Sequence, residues 1–212
     1  MGADERVFRN IQLNGHEIVH LNWIPPIASE SLKSYALRLA ARINNNEPFG
    51  LVGLSLGGMV ATEIASVLHP VKTVLISSIS CSASMPPYYR FAGYLRLHKI
   101  IPISFLKTLA KWKRLVTKEN SADKKMLRMM IEESDPHFMR WAFAAALSWK
   151  RTERPANCFH IHGSSDAILP MRFAKPDHVI PRAGHLMVLT RAREISRLLQ
   201  EVFSQANLKE DL

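Results

Sequence analysis

Short apolar runs alternate along the chain with longer stretches in which apolar residues recur at helical spacing. The runs are rich in Val, Ile and Leu, as is typical of strands covered on both faces, and the alternation favours a mainly parallel sheet. We therefore predict an α/β fold with helices on both faces of the sheet. The predicted strands are Ile18–Asn22, Phe49–Leu54, Lys72–Ser77, Cys158–His162 and His178–Pro181.

Capping and breaking residues set the ends of the helices between these strands. Ser29 or Ser31 can cap the first long helix, and Pro70 follows the end of the second. The predicted helices are Glu5–Ile11, Ser31–Asn45, Gly58–Leu68 and a last one from about Arg191 to Gln205.

The pattern changes between Ser78 and Arg154, where no strand is indicated. Two proline-containing breaks, Ser84–Pro87 and Ile101–Pro102, interrupt the chain there. We predict one domain over residues 1–212, with residues 79–154 as a helical cap insertion. Its Met, Phe and Trp residues could line an apolar acyl pocket, or they could pack the cap on the domain. The cap helices are predicted at Leu106–Val116, Ala122–Glu133 and Pro136–Trp149.

Length, charge and composition narrow the classes of function. The chain has 212 residues, enough for one α/β domain, and a formal net charge of +10. Lys and Arg concentrate between Arg90 and Arg154, which indicates solvated helix faces or a surface for acidic groups. No nucleic-acid-binding motif and no bilayer-length apolar stretch is present, so we expect neither nucleic acid nor membrane as partner. No secretion signal is seen, so we expect a cytoplasmic protein with Cys81 and Cys158 reduced.

The sharpest motif is Gly53-Leu54-Ser55-Leu56-Gly57, which fits the pattern G-x-S-x-G. A strand-like run precedes it and an amphipathic helix follows, the context that a nucleophilic serine on a strand-to-helix turn requires. A tight turn leaves little room for side chains, which favours glycine at both flanking positions. The backbone N–H of Leu56, at the start of the helix, can stabilise the oxyanion that forms when Ser55 attacks a carbonyl.

A nucleophilic serine needs a base, and the base needs an orienting carboxylate. Asp166 follows the strand that ends at His162, and His185 follows the strand that ends at Pro181. Both loops should lie at the sheet edge that carries Ser55, so we predict Asp166 as the acid and His185 as the base. Asp177 and His178 begin a strand and should lie at the opposite edge. His162 adjoins Gly163 and is interpreted as structural.

Three segments together resemble the α/β-hydrolase superfamily: Gly53–Gly58, His162–Asp166 and Ala183–His185. The resemblance extends from Gly2 to about Phe203. It implies a parallel sheet after an antiparallel first region, a cap after the sixth strand, and a Ser–Asp–His catalytic triad.

The N-terminus departs from that family pattern. The central strand that should precede Gly2 is missing. Either the chain is truncated by about one strand, or a shorter sheet is native, and we favour truncation at an internal Met. The loop that supplies the second oxyanion donor reduces to Met1-Gly2-Ala3, with Gly2 as the candidate. Loss of one donor typically costs about a hundred- to a thousandfold in rate. The missing strand would also leave an exposed sheet edge, through which a homodimer could form.

The resemblance implies a serine hydrolase that cleaves an ester, thioester or amide bond of a small, partly apolar acyl substrate. Two alternatives remain open. One is a non-hydrolytic member of the fold, such as a lyase or an enzyme of carbon–carbon cleavage. The other is a binding module whose chemistry is impaired at the N-terminus. No dinucleotide fingerprint, phosphate-binding loop or zinc-type spacing is present, so we expect no cofactor and no metal.

Overall fold

A computed structural model describes residues 4–95 and 121–207 of the chain. Four strands form one sheet in the order β1-β2-β3-β4, and each neighbouring pair is parallel. Helices cover both faces of the sheet, so the predicted α/β fold is confirmed. The strands are β1 (Gly50–Leu54), β2 (Lys72–Ile76), β3 (Cys158–Gly163) and β4 (His178–Ile180).

Eight α-helices and two short 3₁₀ helices belong to the described residues. The 3₁₀ helices are Glu5–Phe8 and Ser82–Ser84. The α-helices are α1 (Leu32–Ala40), α2 (Leu56–Leu68), α3 (Pro87–Tyr94), α4 (Ser121–Glu133), α5 (Pro136–Leu147), α6 (Met171–Ala174), α7 (Met187–Thr190) and α8 (Ala192–Asn207).

Alternation along the strands divides the core into two clusters, one on each face of the sheet. On one face, Ile76 and Ile161 pack with α8, α7 and α4. On the other face, α1, α2 and α5 pack together around Tyr35 and Met59. Burial on both faces explains why β1 and β2 are mostly apolar.

The chain between β2 and β3 contains the segment predicted as a cap. Its helices α4 and α5 join opposite clusters: Leu127 packs into the first, and Phe138 and Ala142 pack into the second. The segment is therefore part of the core in the structure. The division into one domain with a cap at residues 79–154 stays a prediction.

The predicted strand Ile18–Asn22 is wrong. The structure has irregular chain there, in which Ile18 is 43% exposed and Val19 is 77% exposed. A strand is held by hydrogen bonds to a neighbouring strand. Among the described residues none pairs with 18–22, and β1 ends the sheet on one side. The antiparallel first region that the family resemblance implied is likewise absent from the part of the chain that is described.

Other boundaries shift by a few residues. The first long helix ends at Ala40 instead of Asn45, and Ser31 caps it by accepting a hydrogen bond from the Ser34 N–H. Instead of an α-helix reaching Ile11, the structure has only the 3₁₀ turn at Glu5–Phe8. The helix α3, which begins at a proline, was not predicted. The predicted helix Leu106–Val116 lies outside the described residues.

Two sequence expectations can be compared with the described residues. Cys81 and Cys158 are free thiols. No helix in residues 4–95 or 121–207 combines the length and the apolar character needed to cross a membrane.

Candidate active site

Ser55 lies at the turn between β1 and α2, where its backbone adopts φ 54° and ψ −116°. This is a positive-φ conformation that non-glycine residues rarely adopt, and it is maintained only where the surroundings hold it. The Ser55 N–H donates to the carbonyl of Ile76 at 2.9 Å, and Ser78 Oγ donates to the Ser55 carbonyl at 2.6 Å. The turn is therefore fastened to β2 and to the loop after it.

Close packing of strand against helix explains one of the two glycines that flank the serine. A Cβ at Gly53 would lie 2.4 Å from the carbonyl oxygen of Gly57, a backbone atom that cannot rotate away. Among the described residues, a Cβ at Gly57 would meet only the Trp23 ring, at 4.0 Å. The expectation that the tight turn needs glycine on both sides of Ser55 therefore holds for Gly53 and is not supported for Gly57.

Asp166 lies in the loop after β3 with its side chain fully buried. Its Oδ1 accepts hydrogen bonds from the N–H groups of Ile168 at 2.8 Å and Leu169 at 2.9 Å. Burial works to raise the pKa of this carboxyl, but hydrogen bonds from His162 and His185 outweigh it and hold the pKa below its ordinary value. The group is therefore an anion at neutral pH.

His185 lies in the loop after β4, and this loop is tied to the Asp166 loop by backbone and side-chain hydrogen bonds. The Ser165 N–H donates to the Ala183 carbonyl at 2.9 Å, and the Arg182 N–H donates to Ser164 Oγ at 2.8 Å. These bonds hold the two loops together independently of the hydrogen bond between the imidazole and the carboxylate.

The three predicted side chains form one hydrogen-bonded chain. His185 Nδ1 lies 2.8 Å from Asp166 Oδ2, and His185 Nε2 lies 2.9 Å from Ser55 Oγ. A carboxylate can only accept, so Nδ1 carries the proton and Nε2 is free to accept from the serine hydroxyl. The imidazole is thus oriented to take a proton from Ser55.

The two predicted oxyanion donors have different outcomes. Leu56 is the first residue of α2, and the first N–H groups of a helix have no partner within the helix. Its amide follows Ser55 directly at the helix start. Gly2 lies outside the described residues.

The structure also shows where the side chains lie that the sequence analysis did not assign to the triad. Asp177 precedes β4 at the opposite edge, where its carboxylate pairs with Arg154 and accepts from the His160 N–H. His162 was interpreted as structural, but it contacts the triad, because its Nε2 lies 3.3 Å from Asp166 Oδ2. Alternation along β3 could have indicated this, since His160 and His162 both face away from the apolar side that carries Ile161.

One aromatic ring lies beside the turn at Ser55. The Trp23 ring approaches Gly57 and packs against Phe138, with ring centroids 5.3 Å apart. Tyr89 is half-buried, and burial, with the charges of Tyr88 and Asp166, raises its pKa to about 12. Phe138, Met139 and Trp149 are buried. Their burial supports the alternative in which the apolar residues of the predicted cap pack the fold.

Within the described residues, no group of three or more His, Cys, Asp or Glu side chains is arranged to hold a metal ion. The Ser55–His185–Asp166 arrangement uses protein groups alone. It can activate a hydroxyl as a nucleophile and present a helix N-terminus to a developing negative charge.

Solved structures with the same architecture include several hydrolases. MenH from S. aureus aligns with a TM-score of 0.71 at 15% identity, over 98% of this chain and 91% of that chain. A thermophilic esterase from Thermogutta terrifontis aligns at 0.61 and 18% identity, over 86% and 75%. A meta-cleavage product hydrolase from Pseudomonas fluorescens IP01 aligns at 0.57 and 19% identity, over 86% and 75%. At these identities the likeness shows a common fold.

Sequence comparison gives the family directly. No curated protein matches the chain by sequence. The sequence model described as the alpha/beta hydrolase family matches residues 16–198, which is most of the chain. The chain therefore belongs to the alpha/beta hydrolase family.

Proposed function

We propose that this protein is a serine hydrolase that cleaves an ester bond, or a thioester or amide bond, of a small and partly apolar acyl substrate. The observation that carries the proposal is the unbroken hydrogen-bonded chain from Ser55 Oγ through His185 to Asp166. Three residues from three separate loops meet in the order that acyl transfer requires.

In the first half of the reaction, Ser55 Oγ attacks the carbonyl carbon while His185 Nε2 takes the hydroxyl proton. Asp166 stays ionised and stabilises the imidazolium that forms. The Leu56 N–H donates to the oxyanion of the tetrahedral intermediate. His185 then gives its proton to the leaving group, and the acyl group remains on Ser55 as an ester.

In the second half, a water molecule takes the place of the leaving group. His185 removes its proton, the resulting hydroxide attacks the acyl carbon, and a second tetrahedral intermediate collapses to release the acid and Ser55.

The surroundings of Ser55 favour an apolar group on the substrate. Trp23 lies beside the Gly57 turn, and the Trp23 ring extends the aromatic cluster of Tyr35, Phe138 and Trp141. An aromatic ring near the nucleophile turn suits an aliphatic or aromatic acyl or alcohol group better than a charged one.

Carbon–carbon cleavage is the second candidate. One of the fold neighbours is a meta-cleavage product hydrolase. The same serine, histidine and aspartate arrangement would serve that reaction. A meta-cleavage product therefore belongs in the substrate panel beside the esters.

The test is turnover of p-nitrophenyl esters from acetate to octanoate, with a meta-cleavage product as a further substrate. We expect ester hydrolysis by the wild type and a fall of about 10⁴-fold or more in kcat for Ser55→Ala, because the nucleophile is lost. The dependence of kcat/KM on acyl length measures the apolar site.

Ser66→Ala is the matched control. Ser66 lies on α2, the helix that follows Ser55. Its hydroxyl donates a hydrogen bond to the Glu63 carbonyl, away from the triad. Its activity should equal that of the wild type. Ester turnover that survives Ser55→Ala would contradict the proposal, and cleavage of the meta-cleavage product alone would favour the second candidate.

A further inference from the structure

A second buried histidine contacts the carboxylate of Asp166. His162 Nε2 lies 2.7 Å from the Leu169 carbonyl oxygen and 3.3 Å from Asp166 Oδ2. A carbonyl oxygen only accepts, so Nε2 carries a proton, and that proton is shared between the carbonyl and the carboxylate. Both side chains have no exposure to solvent. The proposed mechanism of acyl transfer does not use His162.

The position of His162 is unusual for a polar side chain. It stands on a central strand whose neighbouring residue Ile161 is fully buried in the core. A buried polar group lowers stability unless its hydrogen bonds are made, and apolar residues fill such positions in most sheets. His162 satisfies both of its ring nitrogens, because Nδ1 lies 3.1 Å from His160 Nε2.

We propose that His162 is a positioning residue, which holds Asp166 Oδ2 at the place where it accepts the hydrogen bond from His185 Nδ1. This inference rests on the proposed function, because the role it assigns is support of the triad.

The bonds around Asp166 explain why a second donor matters. Oδ1 is fixed by the amides of Ile168 and Leu169, but among the described residues Oδ2 is held by His185 and His162 only. Leu169 takes part twice, since its N–H binds Asp166 and its carbonyl binds His162. His162 thereby ties the carboxylate, the loop after β3 and the strand β3 into one rigid unit.

The electrostatic effect of this contact has the same direction. The hydrogen bond from His162 opposes the effect of burial and helps to hold the pKa of Asp166 below its ordinary value. An aspartate kept as an anion can stabilise a positive charge on His185.

The test compares two amides that differ by one methylene. In His162→Gln the amide nitrogen reaches as far as Nε2 and can donate to Oδ2. In His162→Asn it is too short to do so. We expect kcat for ester hydrolysis to fall about tenfold in His162→Asn with KM nearly unchanged, and to recover most of that loss in His162→Gln. The fall is far below the ~10⁴-fold effect of losing the carboxylate itself.

A spectroscopic reading does not depend on turnover. In protein labelled with ¹⁵N-histidine, the shifts of the His185 Nδ1–H group report its hydrogen bond to Asp166. We expect these shifts to change in His162→Asn and to stay near the wild-type values in His162→Gln.

Thr73→Val is the matched control. Thr73 is fully buried on the neighbouring strand β2, and its hydroxyl has no hydrogen-bond partner among the described residues. The substitution should leave both kcat and the His185 shifts near wild type. Equal effects of Thr73→Val and His162→Asn, or unchanged His185 shifts in His162→Asn, would overturn the inference. If the wild type has no esterase activity, the proposed function fails, whereas the NMR shifts still test the His162 contact.

Discussion

Ser55 holds a conformation that costs about 1–3 kcal/mol in an unsupported chain. Its support comes from three neighbours: the Ile76 carbonyl, the Ser78 hydroxyl, and the first turn of α2, whose Gly58 and Met59 amides donate to the Ser55 carbonyl. The strained turn projects the hydroxyl toward His185. Support of the turn is therefore as necessary to the proposed chemistry as the serine itself.

Gly53 should be the more sensitive of the two glycines in the motif. In Gly53→Ala the new methyl group would overlap the Gly57 carbonyl, 2.4 Å away, and β1 and α2 would have to separate. We expect the free energy of unfolding to fall by about 1–3 kcal/mol, measured by urea denaturation.

Gly57→Ala is the comparison for that measurement. In the described part of the chain its methyl group meets only Trp23, at 4.0 Å, so the free energy of unfolding should stay within about 1 kcal/mol of the wild type. A loss as large as that of Gly53→Ala would show that the overlap at Gly53 is not what makes glycine necessary there.

For single residues, the sequence predicted which side chains meet, because Ser55, Asp166 and His185 each lie just after a strand of a parallel sheet. Parallel strands bring their carboxyl ends to one edge. The contact of His162 with Asp166 was missed. Alternation along β3 puts His162 on the face opposite Ile161, but it does not say that the loop with Asp166 folds back onto that face.

Among the elements, strands with a neighbour on the sheet were predicted within a few residues. Ile18–Asn22 was not, although its apolar residues look the same in sequence. Apolar character shows that a segment can be buried, but a strand also requires a partner, and the partner is a property of the whole sheet. Pro86-Pro87 shows the same limit for helices, because a proline pair that breaks one segment also begins α3.

The free energy of unfolding should depend on pH through His160, which lies on β3. Burial, followed by the electrostatic effects of the nearby His162 and Arg154, lowers the pKa of His160 from 6.5 to about 3. Between these values the unfolded chain binds a proton that the folded chain does not, so stability falls as the pH is lowered. The largest effect of one such group is about 1.4 kcal/mol per pH unit.

Urea denaturation of wild type and His160→Asn at a series of pH values measures this effect. The wild type should lose more stability than the variant between about pH 6 and about pH 4. The comparison between variants removes the contribution of Asp166 and Asp177, whose lowered pKa values act in the same direction in both proteins. Parallel pH curves for the two proteins would contradict the account of His160.

At the scale of the whole molecule, the edge of the sheet at β1 could bind a second chain. Phe49 and Ser55 bond toward β2, so the alternation of a parallel strand turns the backbone groups of Gly50, Val52 and Leu54 the other way. Among the described residues no strand pairs with that edge. We propose that a second copy of the chain pairs there about a two-fold axis, as identical edges can.

Light scattering and amide hydrogen exchange test that pairing together. A dimer should form as the protein concentration is raised, and the amides of Gly50, Val52 and Leu54 should become slower to exchange over the same range. A monomer at every concentration, or a dimer in which these amides stay fast, would exclude pairing through β1.

The predictions that the chain binds neither nucleic acid nor membrane, and that it is cytoplasmic, stay predictions.

The most direct test of the central claim is covalent labelling of Ser55. Incubation with a fluorophosphonate followed by intact-mass spectrometry and peptide mapping identifies the residue that becomes phosphonylated. We expect one adduct, on Ser55, with none in Ser55→Ala and a rate lowered by at least about a hundredfold in His185→Ala, because the base is lost. An adduct on another serine, or a folded wild-type protein that takes up no label, would contradict the account.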